Sequence, residues 1–304
     1  MTFSTAEALH DHARRHLSPE VAARWTGALA PGIRLDHAGE GPVAGRLGGL
    51  PELPSGVPWP VWEGHGPLSH VASLDCAALV AAGGATGEGT EEGVGGGVGE
   101  AAAALPRSGT LLFFHFDGRV DGGDAFVNPS DPETRPGAQV LFVPAGIPVR
   151  ACPAPDGLPP YPEVPLTARV GLTVPAYDAP ALRAAFPGVV GGPEWGSHPV
   201  NSRGFKDGLR ALDRAAGHVR HRFGGHPVPV QGAVELEMAA GVLGSWRDPG
   251  LDEEATGWVL LAQFDTDEAV DMMWGDAGTL YWLIRPADLA AGRFDRAGFV
   301  WQCC

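Results

Sequence analysis

The densest group of chemistry-capable side chains in this 304-residue chain is acidic: Asp265, Asp267, Glu268, Asp271 and Asp276 lie within twelve residues. Paired carboxylates beside a histidine can perform general acid–base chemistry, so Asp265 and Asp267 with one of the eleven histidines define an enzymatic reading. Asp265, Asp267 and Asp276 also fit the first, third and twelfth places of a calcium loop. That match fails at Ala269, at Val270 where a glycine is needed, and at Asp276, which is shorter than the bidentate Glu. We therefore expect Asp265 or Thr266 to cap a helix, Asp276 to serve a turn, and no metal. His12 and His16 are four apart and His218 and His221 three apart, but neither pair has a third ligand at diagnostic spacing, so they read as solvent-facing. His65, His70, His115, His198 and His226 are candidates to converge between the halves of the chain. No Gly-x-Ser-x-Gly elbow or phosphate-binding Gly-Lys-Ser/Thr is present. Cys303-Cys304 reads as adventitiously reactive, and no cofactor is implied.

A second group of polar residues comes in duplicate. Arg46-Leu47-Gly48-Gly49-Leu50-Pro51 matches Arg222-Phe223-Gly224-Gly225-His226-Pro227. Val71–Asp75 and Ser108–Phe114 follow the first copy as Leu261–Asp265 and Ala277–Trp282 follow the second, so each half supplies one supersecondary unit to a shared core. Gly48, Gly49, Gly224 and Gly225 read as turn residues, as do Gly275 and Gly278 after Trp274. Arg46 and Arg222 either bind an acidic ligand or pair internally with a carboxylate such as Asp75 or Asp265; the internal pair is the favoured reading. Trp59, Trp62, Trp195, Trp274, Trp282 and Trp301 are core residues or the lining of an aromatic groove between the repeats.

These residues need elements to position them. Ser4-Thr5-Ala6-Glu7 caps a first helix, and Ser18-Pro19-Glu20 opens a second that Pro31-Gly32 stops. Strands are expected at 111–116, 139–143, 169–174, 233–238, 258–264, 279–284 and 298–302. Helices are expected at 178–186, capped by Asp178, and at 206–220 and 286–291. Residues 83–104 read as a Gly/Ala-rich insertion. The organisation is an N-terminal helical segment (1–45), a first repeat half (46–152), a Pro-rich connector (153–168) and a second half (169–304), forming one α+β domain of mainly antiparallel sheet.

The ordered set of the Arg-x-Gly-Gly-x-Pro element, Phe264-Asp265-Thr266-Asp267, Met273-Trp274-Gly275-Asp276-Ala277-Gly278 and Phe299-Val300-Trp301-Gln302-Cys303 resembles the YwqG-like family, domain of unknown function 1963. That resemblance implies a compact α+β protein without assigned catalytic residues or cofactor. The family is distantly similar to programmed-cell-death-2 type ribosome-assembly chaperones, and some bacterial relatives lie beside polymorphic toxins; both similarities imply protein binding.

A formal charge of −15 argues against nucleic acid, whose affinity for proteins comes from Lys and Arg displacing counterions, and favours a basic protein partner, toxin-like or ribosomal-protein-like. No apolar run reaches 18 residues and Met1-Thr2-Phe3-Ser4 opens without a basic region, so neither a membrane span nor a signal peptide is expected. Four scattered cysteines read as reduced and the setting as cytoplasmic. The expected function is a protein-binding, immunity-like or chaperone-like module with Arg46, Arg222, Trp59, Trp274 and Asp276 at its surface; the alternative is the carboxylate enzyme.

Overall fold

The computed structural model describes residues 3–37, 42–84, 104–123, 125–216 and 221–304. Strand β1 (Phe3–Ser4) precedes helices α1 (Ala6–His16) and α2 (Pro19–Thr26). Thr5 and Ser18 cap the two helices, accepting from the Ala8 and Val21 amides. The first half continues with β2 (Ala30–His37), β3 (Val43–Leu47), β4 (Glu52–Pro54), β5 (Val61–Trp62), β6 (Gly66–Pro67) and β7 (Ser69–Asp75). Then come α3 (Cys76–Gly84), β8 (Thr110–His115), β9 (Ala138–Val143) and β10 (Val149–Ala151). The second half consists of β11 (Val164–Thr173), α4 (Pro180–Ala185), α5 (Arg203–Ala216), β12 (Arg222–Phe223), α6 (Val234–Leu243) and α7 (Leu251–Thr256). It closes with β13 (Val259–Asp265), β14 (Thr279–Ile284), α8 (Pro286–Ala290) and β15 (Gly298–Gln302).

The main sheet runs β15-β14-β13-β12-β2-β11-β3-β7-β8-β9, with antiparallel pairing throughout, and curves into a nearly closed barrel. Its order is the same read from either end about the β2–β11 pair. Cross-strand register carries the duplication down to single residues. Arg46 and Leu47 face Ser73 and Ala72, and Arg222 and Phe223 face Gln263 and Ala262. Asp75 faces Thr110 as Asp265 faces Thr279.

The interior is filled by aromatic contacts between the halves, with Phe113 edge-on to Phe264 at 5.2 Å and to Trp282 at 5.3 Å. Helices α1, α2, α4 and α5 bury Leu9, Trp25, Leu182, Phe186 and Phe205 in a second core, and α6 covers the outer face of the second half with Val234 and Met238.

Several elements differ from the sequence reading. Residues 233–238 are not a strand: Val234, Leu236 and Met238 alternate, but Ala239, Ala240 and Gly241 continue a helix that Gly244 ends in the left-handed region. Pro31-Gly32 does not stop α2, which ends at Thr26; both residues open β2, where proline at a strand start is tolerated. The segment 1–45 therefore contributes the central strand β2 as well as two helices. Asp178 does not cap α4, because its Oδ2 accepts from the Ala233 amide instead. Neither Asp265 nor Thr266 caps a helix; Asp267 does so for the 3-10 turn Glu268–Val270. Most of the expected insertion and residues 217–220, including His218, lie outside the described residues.

Candidate functional site

The duplicated arginines lock their own turns. Arg46 donates from its guanidinium to the Leu50 carbonyl at 2.9 Å and Arg222 to the His226 carbonyl at 2.7 Å, four residues on in each case. Arg46 also pairs with an internal carboxylate, as expected, but that of Glu163 at 3.3 Å. The Asp75 and Asp265 carboxylates accept from the Ala78 amide and the Thr279 hydroxyl. Gly48, Gly49, Gly224 and Gly225 all have positive φ, and a Cβ on Gly48 would lie 2.2 Å from the Pro162 carbonyl oxygen.

The other residues singled out by sequence are scattered. Trp59 is buried with its indole donating to the Leu68 carbonyl, and Trp274 is buried with its indole donating to the Asp265 carbonyl. Asp276 is exposed. Gly275 takes positive φ against Trp301, whereas Gly278 packs between the Trp274 and Gln302 carbonyls. The five candidate histidines do not converge: His65 lies on Trp62, His70 bonds the Gly49 carbonyl, His115 stacks on Phe299, His198 lies on Trp195, and His226 bonds the Ala28 carbonyl. His12 is not solvent-facing either, being buried against Phe205.

A different trio forms where the ends of β2, β12 and β13 meet. Nε2 of His221 lies 2.9 Å and Nε2 of His37 lies 2.5 Å from the same Asp267 oxygen. His221 is 0% and Asp267 3% exposed by side chain, whereas His37 is 27% exposed. Burial alone would raise the Asp267 carboxyl; the His221 hydrogen bond, the two nearby imidazoles and the Ala269 amide outweigh it and hold the group below the usual carboxylate range.

The Asp265 amide donates to Nδ1 of His221 at 3.1 Å, which places the ring proton on Nε2, pointing at Asp267. A metal-ligating histidine needs the reverse arrangement, with its remote nitrogen donating. The ligand atoms of His37, His221 and Asp267 lie within 4.8 Å of one another, close enough to hold a metal ion, but the Asp265 amide on Nδ1 of His221 favours a hydrogen-bonded centre. Sequence reading identified Asp267 but missed His37, which sits in the strand taken for a helix stop.

The third feature lies where the sheet fails to close. Strands β9 and β15 end the sheet order, and among the described residues each pairs on one side only. A cleft of about 580 Å³ lies between them, walled by Ala138–Leu141 and Arg135 from the first half and by Asp295–Phe299 and Arg285 from the second. The Arg285 guanidinium is held by Glu254 and stacks over Trp258 at 4.4 Å. Apolar walls, fixed charges and two terminal strands border this cleft, and Phe294 packs on Phe142 of β9 at 5.4 Å beside it.

The family model described as a domain of unknown function (DUF1963) matches residues 45–303. The chain belongs to this family. No curated protein matches it. The match spans both Arg-Gly-Gly turns, Asp267, His221 and both cleft edges, while His37 lies just ahead of it. Among the described residues, no helix is long and apolar enough to cross a membrane.

Proposed function

We propose that the protein is a binding module that takes up an extended segment of another protein in the cleft between β9 and β15. The observation that carries this reading is the incomplete barrel, whose two unpaired edges border one groove, each from a different repeat half. An added strand satisfies the edge amides and carbonyls, and the side chains of Gln139, Leu141 and Ala297 meet its alternate residues. The formal charge of −15 attracts a basic partner over long range and raises its association rate. Arg46, Arg222, Trp59 and Trp274 serve this function from within, by fixing the strands that carry the edges.

The reading is tested by placing a photo-crosslinking amino acid at Gln139 and, as a control, at Glu7 on α1, in wild type and in Ala297→Trp, which fills the cleft. Crosslinks to a protein partner at Gln139 that disappear in Ala297→Trp support it. Equal crosslinking at both positions, or crosslinks indifferent to the filled cleft, contradict it.

One observation favours a second reading: His37 combines an anchoring carboxylate with access to solvent, as a general base requires. If that reading holds, His37→Gln abolishes an activity while leaving crosslinking at Gln139 intact.

A further inference from the structure

A separate cavity of about 600 Å³ opens between α4, α7, the start of β13 and the Gly225-His226 turn. That volume is in the range of small-molecule sites, and its walls are mainly apolar, with Ala181 and Ala184 on one side and Trp258 and Leu289 on the other. Glu235 is the acid among its described lining residues. The residue is 6% exposed, and its Oε2 has no hydrogen-bond partner. Nearby Asp178 also keeps a buried oxygen, Oδ1, without a partner.

The other polar groups of the lining accept or are already committed. Nε2 of His226 donates to the Ala28 carbonyl at 2.8 Å, and burial pushes this imidazole down to about 4, so it is neutral and Nδ1 keeps a lone pair. The Thr256 hydroxyl donates to the Glu253 carbonyl. No Lys or Arg is among the described lining residues, and the neighbouring Arg285 is held by Glu254. A buried carboxyl without a counter-cation in an apolar chamber is complementary to one ligand chemistry, a cationic head on an apolar body.

We infer that the Glu235 cavity binds a small organic amine, its ammonium on the Glu235 carboxylate and its hydrocarbon part between Trp258 and the alanine wall. Burial and the charge of Asp178 raise the Glu235 carboxyl to about 7 against the pull of its own backbone amide. Amine affinity therefore increases as pH rises through neutrality, because the carboxylate form is the one that pairs with ammonium.

Hexylamine is the probe, with hexan-1-ol and hexanoate as shape-matched controls, measured by titration calorimetry on the full chain. Hexylamine should bind at least about tenfold more tightly than the alcohol and hexanoate not at all, and Glu235→Gln should weaken the amine about tenfold while changing the alcohol by less than about threefold. Ala184 lies exposed on the rim, so Ala184→Trp should block amine and alcohol alike without touching the core. Circular dichroism establishes that both variants are folded. Equal affinity for amine and alcohol, absence of amine binding to the wild type at millimolar concentration, or undiminished amine binding in folded Glu235→Gln would each overturn the assignment.

Discussion

The two Arg-Gly-Gly turns share a sequence, a register and a lock, yet stand in different surroundings. In the first half Arg46 is 25% exposed and shares its guanidinium between its own turn and Glu163 on the approach to β11. In the second half Arg222 is 2% exposed, lies beside Arg34 across β2, and its turn is held further by the Thr173 hydroxyl on the His226 amide. The second half also carries α4 and α5 between β11 and β12, and these pack with the N-terminal helices into a separate core. Both halves thus keep the same backbone device, enclosed in one copy and near the surface in the other. The same arginine is therefore worth different amounts of stability in the two places.

The largest effect is expected at the first glycine of the open turn. Gly48→Ala puts a Cβ against backbone at Pro162 and a side chain at positive φ, and should cost about 3–5 kcal/mol in denaturant unfolding. The second glycines sharpen the comparison. A Cβ at Gly225 meets the Gly32 backbone and Thr173, whereas one at Gly49 meets only the movable Glu163 side chain, so Gly225→Ala should cost about 2–3 kcal/mol and Gly49→Ala about 1–2 kcal/mol. Reversal of that order would refute the difference in enclosure.

The arginines come next. Arg222→Ala strands the buried His226 carbonyl and should destabilise by about 3 kcal/mol; Arg46→Ala, next to solvent, should cost about 1 kcal/mol. Equal losses would argue that the exposed and enclosed turns are energetically the same.

The opening expectations explain which parts of this arrangement sequence could reveal. The Gly-Gly turns and the equivalence of 71–75 with 261–265 were legible because backbone geometry and strand register need particular residues at fixed spacing. The helix 234–243 was not, because alternating Val234, Leu236 and Met238 mimic a strand when the alanines beyond them are given too little weight. Strand β2 was hidden by Pro31-Gly32, and with it His37, which meets Asp267 only through long-range pairing. The aromatic groove expected between the repeats is not this cleft, whose tryptophan is Trp258 rather than any of the six named from sequence, since which strands become edges is a property of topology rather than of any local pattern.

Buried histidines give a titratable effect on both halves. Burial pushes His70 and His115 in the first half and His226 in the second down to about 4 from an ordinary value near 6.5. The unfolded chain binds more protons between those values, so stability is full above pH 6.5 and falls as pH drops toward 4. The thermal midpoint should fall by at least about 5 °C between pH 7 and pH 4.5. Glu235 has the opposite sign: its raised pKa makes the folded state lose stability as pH climbs from 4.5 to 7, so Glu235→Gln should stabilise by about 1–3 kcal/mol at pH 8 and by little at pH 4.5.

The central proposal, that the terminal strands β9 and β15 of the nearly closed barrel offer their free edges to a partner strand, is tested most directly by amide hydrogen exchange on the free protein. The account predicts fast exchange for the outward-facing amides of β9 and β15 and slow exchange along β2 and β11, which are paired on both sides. Protection of β9 and β15 equal to that of β2 and β11 would mean the edges are already paired, and would contradict it.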